Sequence, residues 1–318
     1  MTINTKIATV FGGTGFVGRQ IVKELAALGY RIKVATRIPE SANFLKPAGD
    51  VGQIVPILCS YSDEASIADA VAGSAVVINC IGILFERGKR RTFKKAHIDI
   101  PAALAQACAV AKVPSFVHIS ALGVDKGTSR YAKSKLAGEA AVFAHFPKAV
   151  ILRPSVIFGE DDAFFNMFAE MARFVPVLPL IGGGKTKFQP VFVGDVARAT
   201  IEVLNHSQAQ GQIFELGGPE ILSFKEIYEK LFEYTGRRRC LMSLPFGVAK
   251  IQASFLNLLP QPPLTPDQVE SLKTDTVVSH GMPGLETLEI TPTPLSSILP
   301  GYLETYRSGG RFADIKNT

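Results

Sequence analysis

The run Tyr131-Ala132-Lys133-Ser134-Lys135 sets a phenol and an ammonium four residues apart. On a helix that spacing puts both on one face, with Cβ atoms roughly 5–6 Å apart. A phenol with an ordinary pKa of about 10 is a poor acid–base group at neutral pH, and a neighbouring ammonium stabilises its phenolate. The pair therefore suits proton transfer. A second run, Gly12-Gly13-Thr14-Gly15-Phe16-Val17-Gly18, fits G-x-x-G-x-x-G. Its first glycine permits a tight turn, its second lets backbone approach a pyrophosphate, and its third lets a helix pack on a strand. Phosphates held there would meet the unpaired N–H groups and the dipole of a helix N-terminus. With a dinucleotide so bound, Lys135 could instead hold the nicotinamide ribose, and Tyr131 could hydrogen-bond it without doing chemistry.

These groups work only if a strand precedes the glycine turn and a helix follows it. Residues 7–11 read as that strand, and 16–28 carry apolar residues at helical spacing. Further β-branched or apolar runs at 31–36, 54–58, 75–80, 116–120 and 149–153 alternate with helical stretches at 100–111 and 131–144. That alternation predicts a doubly wound parallel α/β sheet, the Rossmann arrangement, with helices on both faces. After Pro154 the regularity breaks, and a short strand at 190–193 with a helix at 195–205 reads as a return to the sheet. Helices are expected near 223–234 and 245–259. The expected division is a dinucleotide-binding domain over 1–160, its sheet completed by 187–210, and a smaller lobe from 161–186 and 211–318.

The end of the second strand bears on which dinucleotide is held. A carboxylate there would accept hydrogen bonds from the ribose 2′-OH of NAD. The sequence instead has Val34-Ala35-Thr36-Arg37, and Arg37 offers a forked donor to a 2′-phosphate. NADP(H) is therefore expected over NAD(H).

Hydrophobic residues make up 47% of the 318 and charged residues 19%, which excludes a disordered chain. No run of ~18 apolar residues predicts a membrane span, and with a first strand at residue 7 no leader segment is expected unless one has been removed. Cys59, Cys80, Cys108 and Cys240 lie far apart, without metal-ligand spacing, and read as reduced thiols. His97 and His118 read as structural histidines, and Asp195 as a helix cap. No metal site is expected. The net charge of +6 is concentrated at Arg87, Lys89, Arg90, Arg91, Lys94 and Lys95, and at Arg237, Arg238 and Arg239. Such runs are solvated surface, or they meet phosphate, anionic lipid or an acidic partner. They lack interleaved aromatics, so nucleic acid is not expected. The apolar stretch 244–259 behind Arg239 reads either as an interfacial segment or as a core helix of the small lobe.

The glycine turn, Asn79-Cys80-Ile81-Gly82, Ser120, Tyr131 with Lys135, residues 153–159 and residues 191–197 together resemble the extended and atypical branch of the short-chain dehydrogenase/reductases. The resemblance implies cofactor contacts at Cys80, Ile81, Gly82, Pro154, Ser155 and Val156, and catalytic roles for Tyr131, Lys135 and Ser120. In active relatives a serine or threonine two residues beyond the strand-end serine aligns the substrate carbonyl, and Leu122 stands there in this chain. Thr128 and Ser129 are the other possible substitutes for that donor. Loss of a polarising donor costs orders of magnitude in rate. Residues 77–82, 129–139, 152–162, 189–196 and 264–269 are similar to one subgroup, the nucleotide-binding accessory subunits of respiratory complex I (NADH:ubiquinone oxidoreductase) and their bacterial relatives. That likeness implies a tightly held NADPH that is not turned over. It also implies a cytoplasmic protein, peripheral on the inner membrane, with complex I subunits or quinone metabolism as its setting. The alternative is an active NADPH-dependent reductase, epimerase or dehydratase on a sugar, isoprenoid or quinone-type ring, using Tyr131 and Lys135.

Overall fold

The apolar run before the glycine turn forms β1 (Ile7–Phe11), and α1 (Phe16–Ala27) opens straight after it in a computed structural model that describes residues 6–307 and 309–310. Residues 1–5, Ser308 and 311–318, at the outer ends of the two expected domains, lie outside the described residues. The alternation continues as β2 (Arg31–Thr36), β3 (Ile54–Leu58), α2 (Glu64–Val71), β4 (Val76–Asn79), α3 (Ile100–Val110), β5 (Ser115–Ile119), α4 (Arg130–His145) and β6 (Val150–Pro154). Every residue of β4 and β6 is buried, as expected of strands covered on both faces. A π-helical turn, Lys94–Asp99, leads into α3 and carries His97.

Beyond β6 come β7 (Ile157–Phe158), α5 (Phe164–Phe174), β8 (Val177–Ile181), β9 (Lys187–Phe188), β10 (Val191–Phe192), α6 (Val193–Asn205) and β11 (Ile213–Leu216). The chain ends through β12 (Leu222–Ser223), α7 (Phe224–Thr235), β13 (Cys240–Leu244), α8 (Phe246–Leu256), α9 (Pro266–Ser271) and α10 (Leu295–Leu303). The main sheet has the order β11-β6-β5-β4-β1-β2-β3, with every pairing parallel.

The segment 187–210 does not complete that sheet. Pro190 interrupts it, and β10 pairs only with β7 in a separate two-stranded ribbon, while α6 covers the main sheet beside α1. The seventh strand is β11, from the stretch assigned to the small lobe. Its sequence, IFEL, hides a strand because Glu215 breaks the apolar run. Glu215 is buried as the register partner of Arg153 on β6, its carboxylate 3.7 Å from that guanidinium.

One face of the sheet packs on Ile21, Val22 and Leu25 of α1 and on Val196, Ala199 and Val203 of α6. The other packs on Ile67 of α2, Leu104 of α3 and Val142 of α4. The small lobe has its own aromatic core, in which Phe158, Phe165, Phe168, Phe224 and Tyr228 meet Leu299 and Leu303 of α10. Aromatic rings carry much of the burial in so small a core, and edge-to-face pairs such as Phe168–Tyr228, 5.0 Å between centroids, add to it.

Candidate functional site

β1 delivers the chain into a turn that only glycine can make. Gly12 has φ +75°, and a Cβ on it would lie 2.9 Å from the Cys80 carbonyl carbon. The Gly15 N–H closes the turn on the Gly12 oxygen at 3.0 Å. A Cβ on Gly18 would meet the Gly12 oxygen and, at 2.7 Å, the Gly13 Cα, so the helix packs directly on the turn. Between the glycines, Thr14, Phe16 and Val17 are half-buried, and Val17 packs on the core. α1 begins at this point with no side-chain cap and no acid in its first turn. Its free N–H groups and bare backbone fit a pyrophosphate, which needs close approach and positive potential. Cys80, Ile81 and Gly82 cross beside the turn from the end of β4. Arg37 stands exposed at the end of β2, with no carboxylate partner among the described residues and its guanidinium carbon 5.8 Å from the Tyr61 ring centroid.

Tyr131 and Lys135 lie in the first turns of α4. Ser129 caps that helix by accepting from the Ala132 N–H at 3.1 Å. The Asp267 carboxylate reaches across from α9 to accept the N–H groups of Arg130 at 2.7 Å and Tyr131 at 3.0 Å. Phe93 and His97 meet the Tyr131 ring at near right angles, 5.9 and 5.3 Å between centroids. Burial pushes the Tyr131 hydroxyl up to about 12. The Lys135 ammonium is buried and donates to the Ile119 oxygen at 2.9 Å. Burial brings it down to about 8, against the opposing pull of Glu139 and Cys80. A Cβ on Gly82 would lie 3.7 Å from that nitrogen, so the chain leaving β4 passes Lys135 closely.

The structure thus brings together the glycine turn, Cys80–Gly82, Tyr131 and Lys135. It commits other expected residues elsewhere. The Ser120 hydroxyl donates to Glu139, which also takes a two-pronged hydrogen bond from Arg153 at 2.9 and 2.6 Å. Ser120 is therefore part of a buried ion-pair network and not an available donor. Leu122 is buried, its N–H on the Pro154 oxygen at 2.9 Å. Ser155 donates its hydroxyl to the Thr276 oxygen at 2.9 Å and its N–H to the Leu216 oxygen at 2.9 Å. The Val156 oxygen accepts from Val191, so the Ser155 hydroxyl and the Pro154 and Val156 carbonyls serve the fold.

Both histidines are structural, and His97 is also part of the site's wall. Its Nε2 accepts the Ile83 N–H at 3.1 Å, which leaves the proton on Nδ1 to donate to the Ser134 hydroxyl at 2.8 Å. Ser134 in turn donates to the Tyr131 carbonyl at 2.7 Å. Burial holds His97 down to about 3, so it is neutral at physiological pH. Asn79 fixes the other histidine: its oxygen accepts the Ile81 N–H, so its amide nitrogen donates to His118 Nδ1 at 3.0 Å. Asp267 and the Glu139–Arg153 pair carry no local sequence signal, because tertiary packing alone brings their partners to them. Asp195 is not the helix cap expected of it: α6 starts two residues earlier, behind Phe192 and with no side-chain cap, and the buried Asp195 carboxylate instead accepts the Thr293 N–H at 2.6 Å and pairs with Arg198.

The pattern that describes the NAD-dependent epimerase/dehydratase family matches residues 8–217. The chain is 37% identical over 320 residues to the mitochondrial NADH dehydrogenase (ubiquinone) 1 alpha subcomplex subunit 9 of Arabidopsis thaliana, covering 96% of this chain and 79% of that one. With the Mus musculus protein of the same name it shares 36% identity over 298 residues, covering 92% and 78%. Its fold superposes on triphenylmethane reductase of Citrobacter sp. in complex with NADP(H) with a TM-score of 0.73, at 19% identity, covering 93% and 99% of the two chains. No described helix is long and apolar enough to cross a membrane. A glycine cradle shaped for a nicotinamide dinucleotide, a Tyr–Lys pair beside it and this match across the sheet lead to one conclusion: the chain belongs to the NAD-dependent epimerase/dehydratase family.

Proposed function

We propose that this protein is a nucleotide-stabilised accessory or assembly subunit of a respiratory NADH:quinone oxidoreductase, peripheral on the cytoplasmic face of the inner membrane. The observation that carries this is the geometry of the site: the Lys135 ammonium is committed to the Ile119 oxygen, Leu122 stands where a polarising donor is expected, and the Ser120 hydroxyl is bound to Glu139. The similarity to complex I subunits over almost the whole chain agrees with it. In this proposal the glycine turn holds the pyrophosphate and Arg37 takes the 2′-phosphate, giving NADP(H) preference over NAD(H). Lys135 and Tyr131 hold the nicotinamide ribose, with Cys80, Ile81, Gly82 and the surfaces of Pro154, Ser155 and Val156 around the ring. A bound NADPH could supply a hydride, but the chain's own groups would act here as a clamp.

A membrane or complex contact has one structural support. α8 buries its small residues, Ala249 and Ala253, and leaves Val248, Ile251 and Phe255 exposed, so it is not a core helix. Arg237 and Arg239, expected to supply charge beside it, instead donate to the carbonyls of Tyr306 and Ala172. Only Arg238 of that trio is fully exposed, whereas Arg87, Lys89, Arg90 and Arg91 are all exposed at the other basic run.

A second proposal, an active NADPH-dependent reductase or epimerase, draws on the intact Tyr131–Lys135 pair and on a cavity of ≈ 500 Å³ lined by Phe85, Phe93, Arg130 and Asp267 near it. The deciding experiment tags the protein in its own organism, solubilises the membranes gently, and assays co-migrating subunits and bound nucleotide together. Co-migration with the respiratory complex and retained NADPH are expected. A protein that travels alone and exchanges NADPH freely would overturn the accessory role and favour the enzyme.

A further inference from the structure

Arg37 is the only side chain that the proposed NADP(H) preference depends on, and it does not stand by itself. Tyr61 lies between β3 and α2, and its hydroxyl donates to the Ala35 oxygen at 2.8 Å, two residues before Arg37. Its ring meets Phe11, the residue before Gly12, edge-on at 6.0 Å between centroids. Phe11 and Ala35 are register partners on adjacent strands, so Tyr61 is fastened to the ends of β1 and β2 together. The Arg37 guanidinium lies over this ring. Burial pushes the Tyr61 hydroxyl up to about 12, which keeps it a neutral donor.

The other cations nearby are engaged. Arg19 pairs with Asp161 at 2.7 Å and also donates to the Gly15 oxygen. Lys33 donates to the Ala72 oxygen at 2.8 Å. The Thr36 hydroxyl serves its own turn at Ile38. Arg37 alone among these has neither a carboxylate nor a carbonyl partner among the described residues, and its guanidinium faces the Tyr61 ring. A guanidinium already placed on a ring loses less freedom on meeting a phosphate than one that swings in solvent.

We propose that Tyr61 is a specificity-determining residue whose ring holds Arg37 ready for a 2′-phosphate and so favours NADPH over NADH. This rests on the assignment of Arg37 to the 2′-phosphate, and the two can be separated. NADPH and NADH affinities are measured on the full chain for Tyr61→Leu, Arg37→Gln and the double variant. Tyr61→Leu is expected to weaken NADPH about two- to fivefold and to leave NADH unchanged. Arg37→Gln should weaken NADPH by more, and the double variant no further, because the ring acts only through Arg37. Tyr61→Phe and pentafluorophenylalanine at position 61 keep the packing. The first should retain the NADPH affinity and the second should lose it, which keeps the test open if Tyr61→Leu does not fold. If Arg37→Gln lowers the NADPH:NADH ratio and the Tyr61 variants do not, the Tyr61 role fails and the Arg37 assignment stands. If Arg37→Gln leaves the ratio unchanged, both fail. Equal losses for the two nucleotides in Tyr61→Leu would reduce Tyr61 to a packing residue and overturn the proposal.

Discussion

The sharpest difference between a ribose clamp and a catalyst is the protonation of Tyr131. An acid–base phenol must reach its phenolate near the working pH. Here Phe93 and His97 pack against the half-buried ring, and burial raises its hydroxyl to about 12. The charge that should counter this is turned away, since the Lys135 ammonium donates to the Ile119 oxygen and is itself brought down to about 8. With Tyr131 near 12, about one molecule in 10⁴ carries phenolate at pH 8, against about one in 10² for an ordinary phenol. The assay is the near-ultraviolet absorbance of phenolate along a pH titration, with Tyr131→Phe subtracted to isolate this residue. No Tyr131 transition is expected below about pH 10, with or without NADPH. A midpoint below about 9 in the NADPH-loaded protein would show that nucleotide binding swings Lys135 onto the phenol, and would refute the clamp.

Two further outcomes follow from the buried charges. Glu139→Gln leaves Arg153 with only Glu215 at 3.7 Å and Asp125 at 3.9 Å, and breaking one arm of a buried ion pair costs about 3–5 kcal/mol. Urea unfolding should show this, and a loss under about 1 kcal/mol would mean that Arg153 is not held as described. His97 sits near 3 when folded, against about 6.5 unfolded, so the unfolded chain binds the extra proton. Its contribution is complete above about pH 6.5 and is lost as the pH falls towards 3, amounting to about 2 kcal/mol between pH 7 and 5. Unfolding midpoints measured across that range should fall with pH in the parent and less steeply in His97→Asn, and equal slopes would refute this.

The sheet was legible where its strands are buried on both faces, because an unbroken apolar run between helical stretches has few other readings. β4 and β6 show this, each fully buried and within a residue or two of the expected bounds. β11 was not legible, because Glu215 makes sense in a core strand only beside Arg153, which lies 62 residues earlier in the sequence. The glycine turn was legible because each glycine answers a local steric demand. Hydroxyl roles were not: Ser120 and Ser155 occupy suggestive places, but their partners, Glu139 and Thr276, are set by tertiary packing. Nor could the spacing of charges in the sequence show that Arg237 and Arg239 would turn inward to backbone carbonyls.

Under the proposed clamp role, the same inward commitments explain how a site can keep a Tyr–Lys pair and hold rather than react. Arg153 joins Glu139 of α4 to Glu215 of β11, and Glu139 also fixes Ser120 at the end of β5. Buried ion pairs add little net stability over apolar packing, but removing one arm is costly, so such a network resists local rearrangement. Asp267 adds a second restraint, tying the start of α4 to α9 in the other lobe. A catalytic phenol needs freedom to respond to charge developing on a substrate, whereas a clamp needs a fixed helix and a neutral hydroxyl. Every restraint on α4 favours the second requirement. If nucleotide binding does release Lys135 from Ile119, the change must come from the lysine side chain, since the helix that carries it is fastened at its start by Asp267 and at its middle by Glu139.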